Sequence, residues 1–115
     1  MELFDADETS TYEPMAGWRR TALASHEDFN CELYEKPPGH SSPMHSHDNE
    51  QVSIVIQGHL TLHTEDGDYE LGPNDAVRLD SNEAHGFENS GEGQAMGVDI
   101  FTPPRSREFW TDDED

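Results

Sequence analysis

Residues 39–58 read GHSSPMHSHDNEQVSIVIQG and place His45 and His47 two positions apart. On an extended strand, side chains two positions apart leave the same face of the sheet, so one metal ion can meet both imidazoles. Imidazole suits Zn, Fe, Ni, Cu and Mn, and a third histidine, His85, lies further along the chain. With Gln51 as a fourth ligand, the set leaves a coordination position for water or substrate. These residues therefore predict a divalent-metal centre that supports chemistry.

The spacing of these residues resembles the first motif of the cupin family, which runs Gly, five residues, His, one residue, His, three or four residues, Glu, six residues and Gly. Four positions of the chain match this motif: Gly39, His45, His47 and Gly58. Counting back six residues from Gly58 reaches Gln51, whereas Glu50 falls one residue short, so Gln51 is the expected ligand. Gln51 also shares the parity of the two histidines, although a turn at residues 48–49 would reset the register.

A second cupin motif runs Gly, five residues, Pro, one residue, Gly, two residues, His, three residues and Asn. Its positions fall on Asn74, Asp80, Asn82, His85 and Asn89, and the last two keep the residue of the family. Asn is the next-best residue after Gly at a turn position with positive φ, so the first and third departures are mild. The chain thus resembles the cupins in both motifs.

The cupin resemblance covers residues 31–101 and implies an all-β fold, a single jelly-roll barrel of short antiparallel strands. The hydrophobic pattern agrees, because residues 52–57 and 60–63 alternate with a period of two around a turn at Gly58. We predict strands over nine ranges: 18–25, 29–36, 43–47, 51–57, 59–64, 67–71, 75–79, 84–89 and 93–101. Closure into a barrel removes the edges that so many short strands would otherwise expose.

The chain continues past the second motif with GVDIFTPPR, residues 97–105. Asp99 and Phe101 share one face of a final strand, and Arg105 follows a rigid Pro-Pro turn. Burying a carboxylate is costly unless it is paired, so an inward Asp99 suggests proton transfer or hydroxyl binding near the metal. Arg105 can hold a substrate carboxylate through two parallel hydrogen bonds. The alternatives are an outward-facing strand face and a surface Arg105 paired with neighbouring acids.

One cupin subgroup is similar in all of these residues: the cupins of pectin and alginate degradation that convert 4,5-unsaturated monouronates to a linear keto acid. The resemblance implies one divalent ion, Ni, Zn, Fe or Mn, with four ligands: His45, His47, Gln51 and His85. It also implies catalytic roles for Asp99 and Arg105, and a small-molecule carboxylate substrate that contacts Phe87, Phe101 and Arg105. Small isomerase cupins of prephenate-derived antibiotic synthesis share the metal set and a similar tail, so the substrate stays open.

The expected function is ring opening or tautomerisation of such a uronate, in which Arg105 holds the carboxylate and Asp99 moves a proton. Neutral ligands leave the ion its full charge, and no redox change is needed. Two alternatives use the same residues: an Fe(II) dioxygenase, and a sugar or small-molecule binding module with a structural metal. The other histidines lack the paired spacing and are expected at the surface: His26, His40, His59 and His63.

The charge of the chain opposes two classes of partner. Its 26 acidic and 6 basic residues give a formal net charge of -20, which disfavours nucleic acid and anionic membrane. Such acidity, with Lys36 as the only lysine, is typical of hosts that accumulate salt, where ions screen the repulsion between carboxylates. We therefore expect a halophilic host; the alternative is that the acids belong to acidic tails.

Cys31 is the only cysteine, so no intrachain disulfide forms, and the acidic start does not resemble a signal peptide. No apolar run approaches the length of a membrane span, and we expect a cytoplasmic protein. Three segments are predicted: an acidic arm (1–16), the cupin barrel (17–108) and an acidic tail (109–115). Small cupins commonly pair through the N-terminal strand and barrel face, so the resemblance implies a homodimer. Trp18 and Trp110 are expected as interface or rim anchors, because aromatic residues are enriched there.

Overall fold

The computed structural model describes residues 1–105, which form nine strands and no helix. The strands are β1 (Thr11–Met15), β2 (Trp18–His26), β3 (Phe29–Lys36), β4 (Glu50–Gln57), β5 (Leu60–Thr64), β6 (Gly67–Leu71), β7 (Ala76–Leu79), β8 (His85–Glu88) and β9 (Ala95–Thr102). They form two antiparallel sheets, of order β1-β2-β3-β9-β4-β7 and β6-β5-β8. This confirms the predicted all-β jelly-roll fold. Within this part of the chain, no helix is present that would be long and apolar enough to cross a membrane.

Gly58 lets the chain pass from the larger sheet to the smaller one. It lies between β4 and β5 with a φ of 88°, in the left-handed region that favours glycine. A Cβ at this position would come within 2.8 Å of the Ala95 Cα. Beyond the turn, Leu60 packs against Tyr34, Val55 and Ala95 in a buried cluster. Full burial of one such aliphatic side chain contributes about 1.5–3 kcal/mol, so this cluster joins the two sheets.

The prediction of a strand at residues 43–47 was wrong. The described chain forms only isolated backbone bridges in this region, one of which joins His45 to His85. Pro43 has no N–H to donate to a neighbouring strand. The segment before His47 instead runs antiparallel beside β8, so closely that a Cβ at Gly86 would lie 2.9 Å from the Ser42 carbonyl oxygen. The first two histidines therefore reach the third because the segment lies beside β8 and not because they share a face of a regular strand.

The ordered strands begin earlier than the sequence indicated. We expected them to start near Trp18, but Thr11–Met15 forms β1 and pairs antiparallel with β2. Its sequence, TYEPM, contains Pro14, which is tolerated because β1 lies at the edge of the sheet. The segment predicted as an arm therefore contributes a strand to the larger sheet.

The larger sheet buries polar side chains on the inner face of its central strands, beside Tyr34 and Phe101. Four buried positions of β3 and β9 are polar: Asn30, Glu32, Lys36 and Asp99. Four of the alternating positions are apolar or thiol and only partly buried: Cys31, Leu33, Val98 and Ile100. Because an unpaired buried charge is costly, the two inner carboxylates require a cation inside the barrel.

Candidate metal centre

Three histidines converge at one end of the barrel. The ring centroids of His45 and His85 lie 4.7 Å apart, and those of His47 and His85 lie 5.1 Å apart. One ring nitrogen from each residue lies within 4.8 Å of the others, close enough for a single ion to bind all three. His45 and His85 are held by reciprocal backbone hydrogen bonds of 2.9 Å. The predicted clustering of the three histidines is therefore present in the structure.

The hydrogen bonds of these imidazoles select which nitrogen faces the centre. Nδ1 of His45, His47 and His85 lies 2.8–3.0 Å from a backbone carbonyl oxygen in each case. A carbonyl oxygen can only accept, so each Nδ1 carries the proton and each Nε2 keeps its lone pair. This is the arrangement that orients histidine as a metal ligand. Among the described residues, the His85 Nε2 is buried without a hydrogen-bond partner.

Gln51 brings a fourth lone pair to the same point. Its Nε2 donates to the Ser53 hydroxyl at 2.8 Å and approaches the Asp99 carboxylate at 3.4 Å. The amide is therefore oriented with its oxygen toward the histidines, since the opposite orientation would place that oxygen against a carboxylate. The Gln51 Oε1 lies 3.0 Å from the His47 Nε2, and both atoms are acceptors. A cation between them resolves this clash, so the donor set fits a divalent metal ion.

Burial keeps two of the ligand imidazoles, those of His47 and His85, neutral, as metal binding requires. It lowers the pKa of His85 to about 4. Burial is also the first reason that the pKa of His47 is lowered, and the nearby Arg105 guanidinium is the second. A neutral imidazole binds metal without first releasing a proton, so the centre is competent at neutral pH.

Asp99 lies inside the barrel in an ion-pair network. Its Oδ2 accepts a hydrogen bond from Arg20 at 2.8 Å, and its Oδ1 accepts one from Ser53 at 2.6 Å. Arg20 also donates to the buried Glu32 at 2.7 Å, and the Tyr12 hydroxyl donates to the other oxygen of that carboxylate. Both Asp99 oxygens therefore already accept hydrogen bonds. One of the donors, the Ser53 hydroxyl, also accepts from the Gln51 amide and so orients that amide toward the metal centre.

The predicted substrate residues surround a pocket of about 90 Å³ beside the histidines. Phe101 is 1% exposed and meets the His47 ring edge-on at 5.8 Å between centroids. Phe87 meets the His85 ring in the same way at 6.0 Å. The Arg105 guanidinium lies 5.7 Å from the Phe101 ring centroid. The pocket therefore joins two aromatic walls, a cation and the metal ligands.

The Cupin_2 family model, a cupin domain, matches residues 32–101 of this chain. The chain is a cupin. Its fold is similar to that of KdgF from Halomonas sp., with a TM-score of 0.84 and 23% identity over 95% of this cupin and 98% of the other chain. It is also similar to an RmlC-like cupin from Shewanella frigidimarina, with a TM-score of 0.82 and 19% identity over 96% of both chains. The polyketide cyclase RemF from Streptomyces resistomycificus matches with a TM-score of 0.76 and 20% identity over 90% of this cupin and 80% of RemF.

Two pocket residues were not anticipated from the sequence of this cupin. His40, expected at the surface, stacks on Trp18 at 4.7 Å between ring centroids and lines the pocket. Burial, aided by the Lys36 ammonium, lowers the pKa of His40 to about 4. Trp18, expected at a subunit interface or rim, is 8% exposed and lines the pocket. Trp110 lies outside the described residues.

No local signal would have found these two residues, because they lie on a strand and a loop that meet only in the folded barrel. Two of the other histidines bind surface carboxylates: His63 lies on β5, and His59 precedes that strand. His63 binds Asp68 and Glu88, and His59 binds Glu70. Both are partly exposed, with 30% and 43% of their side-chain surface accessible.

We predict that Gln51→Glu destabilises the metal-free cupin by about 1–3 kcal/mol. A carboxylate cannot donate to Ser53, and it would lie as a like charge beside the Asp99 carboxylate. Bound metal is expected to offset most of the loss, because the new charge then faces a cation. Denaturant unfolding with and without metal measures both effects.

Gln57→Glu, on an exposed residue of the same strand, is the control and should stay within about 0.5 kcal/mol of wild type. Equal stability of Gln51→Glu and wild type without metal would contradict the assigned amide orientation.

Proposed function

We propose that this cupin is a metal-dependent enzyme that opens or tautomerises the ring of a 4,5-unsaturated monouronate. The observation that carries the proposal is the amide of Gln51, oriented with its oxygen toward the His47 imidazole of the three-histidine cluster. Such a ligand set leaves the full charge of the ion available to polarise substrate oxygens. Acid-base chemistry on a hydroxy or keto acid uses that charge. It does not require the ion to change its oxidation state.

The residues around the pocket supply the remaining functions. Arg105 is placed to hold the substrate carboxylate, since its guanidinium lies over Phe101 at the wall of the pocket. Phe87 and Phe101 present apolar faces that exclude water from the bound sugar acid. Asp99 holds Gln51 in its orientation and stays a predicted proton carrier, although it must release Ser53 or Arg20 to accept a substrate proton.

The similarity to KdgF from Halomonas sp. supports this choice of substrate, because the residue pattern of the chain also resembles the uronate-linearising cupins. The net charge of -20 supports a host that accumulates salt. The rival functions share the metal centre, and the assay below separates them.

The test is an assay of metal-loaded cupin on a 4,5-unsaturated monouronate in high KCl, following the ultraviolet absorbance of the ring double bond. Wild type should consume the substrate faster than the spontaneous reaction. Arg105→Met should raise KM at least about tenfold with unchanged metal content, because a charged hydrogen bond to the carboxylate is lost. Full metal occupancy without consumption would overturn the uronate proposal, and oxygen uptake with an aromatic or thiol substrate would then favour the dioxygenase.

We also propose that two copies pair through the outer face of the larger sheet. Six partly buried apolar or thiol side chains lie there in two cross-strand rows: Leu33, Val98 and Ile54, and Cys31, Ile100 and Val52. None of these six residues is a carboxylate, so charge repulsion between two acidic chains is weakest at this face. Val98→Asp is expected to give a monomer in sedimentation velocity, and Tyr69→Asp, on an exposed residue of the smaller sheet, a dimer. A monomeric wild type would contradict the dimer.

A further inference from the structure

Lys36 is the only lysine of the chain, and it lies inside the barrel. It ends β3 on the inner face, with 4% of its surface exposed. Its Nζ lies 5.1 Å from the Trp18 ring centroid and donates to the Ser42 hydroxyl at 3.0 Å. Lysine is almost never fully buried unless it is paired with an opposite charge. The single lysine of this acidic chain is therefore in an unusual place.

No carboxylate pairs directly with this amine among residues 1–105. The two nearby buried carboxylates, Glu32 and Asp99, both bind Arg20, at 2.7 and 2.8 Å. Within residues 1–105, the Lys36 side chain donates its hydrogen bond to a neutral hydroxyl instead. Because the inner layer satisfies its charges without Lys36, the amine contributes little to that network and is available for another role.

Ser42 connects this amine to the metal pocket. It lines both the pocket that contains His45 and His85 and a smaller adjoining cavity of about 40 Å³ that contains Lys36. Its backbone N–H donates to the Phe87 carbonyl oxygen at 2.8 Å, which fixes the residue against β8. The Ser42 hydroxyl thus lies at the wall of the metal pocket and accepts a hydrogen bond from the Lys36 amine.

We propose that Ser42 and Lys36 form the proton relay of this active site, a role that rests on the proposed function. In the forward step, the Ser42 oxygen accepts a proton from a substrate O–H or acidified C–H while its own hydroxyl proton passes to the neutral Lys36 amine. In the return step, the Lys36 ammonium gives a proton to Ser42, which gives its own to a second substrate atom. The electron pair stays on the substrate and shifts the double bond, so the sum is a tautomerisation.

The environment of Lys36 supports this chemistry. Burial, and then the nearby Arg20 guanidinium, lowers the pKa of the amine to about 7, against the opposing effect of Asp99. General acid-base catalysis is most efficient when the pKa lies near the operating pH. Other titratable groups also face the inner layer: Glu32 and Tyr34 on β3, Arg20 on β2, Asp99 on β9 and His40 from the loop after β3.

The relay and Asp99 are rival proton carriers. A substrate proton reaching Asp99 must displace Ser53 or Arg20, whereas Ser42 exchanges protons with an amine that holds no carboxylate among the described residues. The relay therefore leaves the network that orients Gln51 intact throughout the reaction.

The single lysine allows a direct test by NMR. Protein labelled with ¹³C only in lysine gives one side-chain signal, and its titration should show an apparent pKa near 7 in the metal-loaded wild type. Ser42→Ala should shift this midpoint. A midpoint near the ordinary lysine value of about 10.4 would overturn the relay, because the amine would then be permanently charged.

Kinetics of matched variants give the second test. Lys36→Met keeps the packing against Trp18 and should lower kcat on the uronate by about 10²–10⁴-fold, with metal content unchanged. Lys36→Arg keeps a charge but cannot become neutral, so it should be equally inactive. Ser42→Ala should lose activity, Ser42→Thr should recover it, and the exposed neighbour variant Ser41→Ala should match wild type. Wild-type kcat in Lys36→Met or Lys36→Arg would overturn the relay while the uronate function stands.

A readout without the uronate separates the relay from the proposed function. Metal-loaded wild type should accelerate exchange of the methyl protons of pyruvate in D₂O, followed by ¹H NMR, and Lys36→Met should not. Exchange of the pyruvate protons without turnover of the uronate would contradict the uronate function and support the relay. Absence of exchange in the metal-loaded wild type would overturn the relay.

Discussion

Replacing His85 with alanine is expected to lower metal affinity by at least about 100-fold, more than the 10–100-fold caused by losing an outer hydrogen-bond partner of a ligand. His85 is 1% exposed and lies 4.7 and 5.1 Å from the other two imidazoles, so no neighbouring residue can take its place. Isothermal titration with Ni²⁺ or Zn²⁺ measures the affinity. Because ligand binding stabilises only the folded state, metal should raise the unfolding temperature of wild type and leave that of His85→Ala unchanged.

The matched control is His59→Ala, which removes a partly exposed histidine bound to Glu70 on the smaller sheet. This variant should bind metal as wild type does. Circular dichroism must show strand content in both variants, so that lost binding is not confused with lost folding. Stoichiometric metal in His85→Ala, with wild-type affinity, would contradict the assigned ligand set.

Replacing Arg20 with methionine is expected to destabilise the protein by about 3–5 kcal/mol, because it leaves two buried carboxylates without their cation. Glu32 and Asp99 are 1% and 6% exposed, and Arg20 lies between them. The same change should loosen Gln51, which approaches Asp99 through its amide, and weaken metal binding. Urea unfolding of metal-free protein measures the stability, and titration with metal measures the second effect.

The neighbouring residue offers a matched control for this prediction. Arg19 lies on the same strand with 52% of its side chain exposed, and it pairs with Glu35 at 3.5 Å. Surface pairs of this kind contribute about 0–1 kcal/mol, so Arg19→Met should be nearly neutral. A loss below about 1 kcal/mol in Arg20→Met would show that the buried carboxylates are satisfied without Arg20.

Eight of the nine predicted strand ranges agree with the structure to within about two residues at each end; the range 43–47 does not, and β1 was not predicted. Their turns carry local signals, such as Gly58 with positive φ and Asn74 and Asn82, which also have positive φ. The two failures have local causes. Residues 43–47 lack a donor at Pro43 and form only an isolated bridge to β8, and β1 contains a proline, which is unusual in a strand away from a sheet edge.

The histidines were recognisable because their spacing is a local property of the chain. The orientation of Gln51 was not, since it depends on Ser53 and Asp99, and the latter is 48 positions away. Arg20 and Asp99 are separated by 79 positions, and nothing in either segment indicates the other. A pairing of this kind is decided only when β2 and β9 enter the same sheet.

By itself, the sequence determined the strand pattern, the turns and the three histidines, because period, backbone preference and ligand spacing are local. Only the tertiary structure decided which face of the larger sheet points inward. On β3, the apolar residues Cys31 and Leu33 would by the usual rule face the core, yet Glu32 and Lys36 do. The reversal holds because Arg20 neutralises the inner carboxylates, and that pairing exists only between strands distant in the chain.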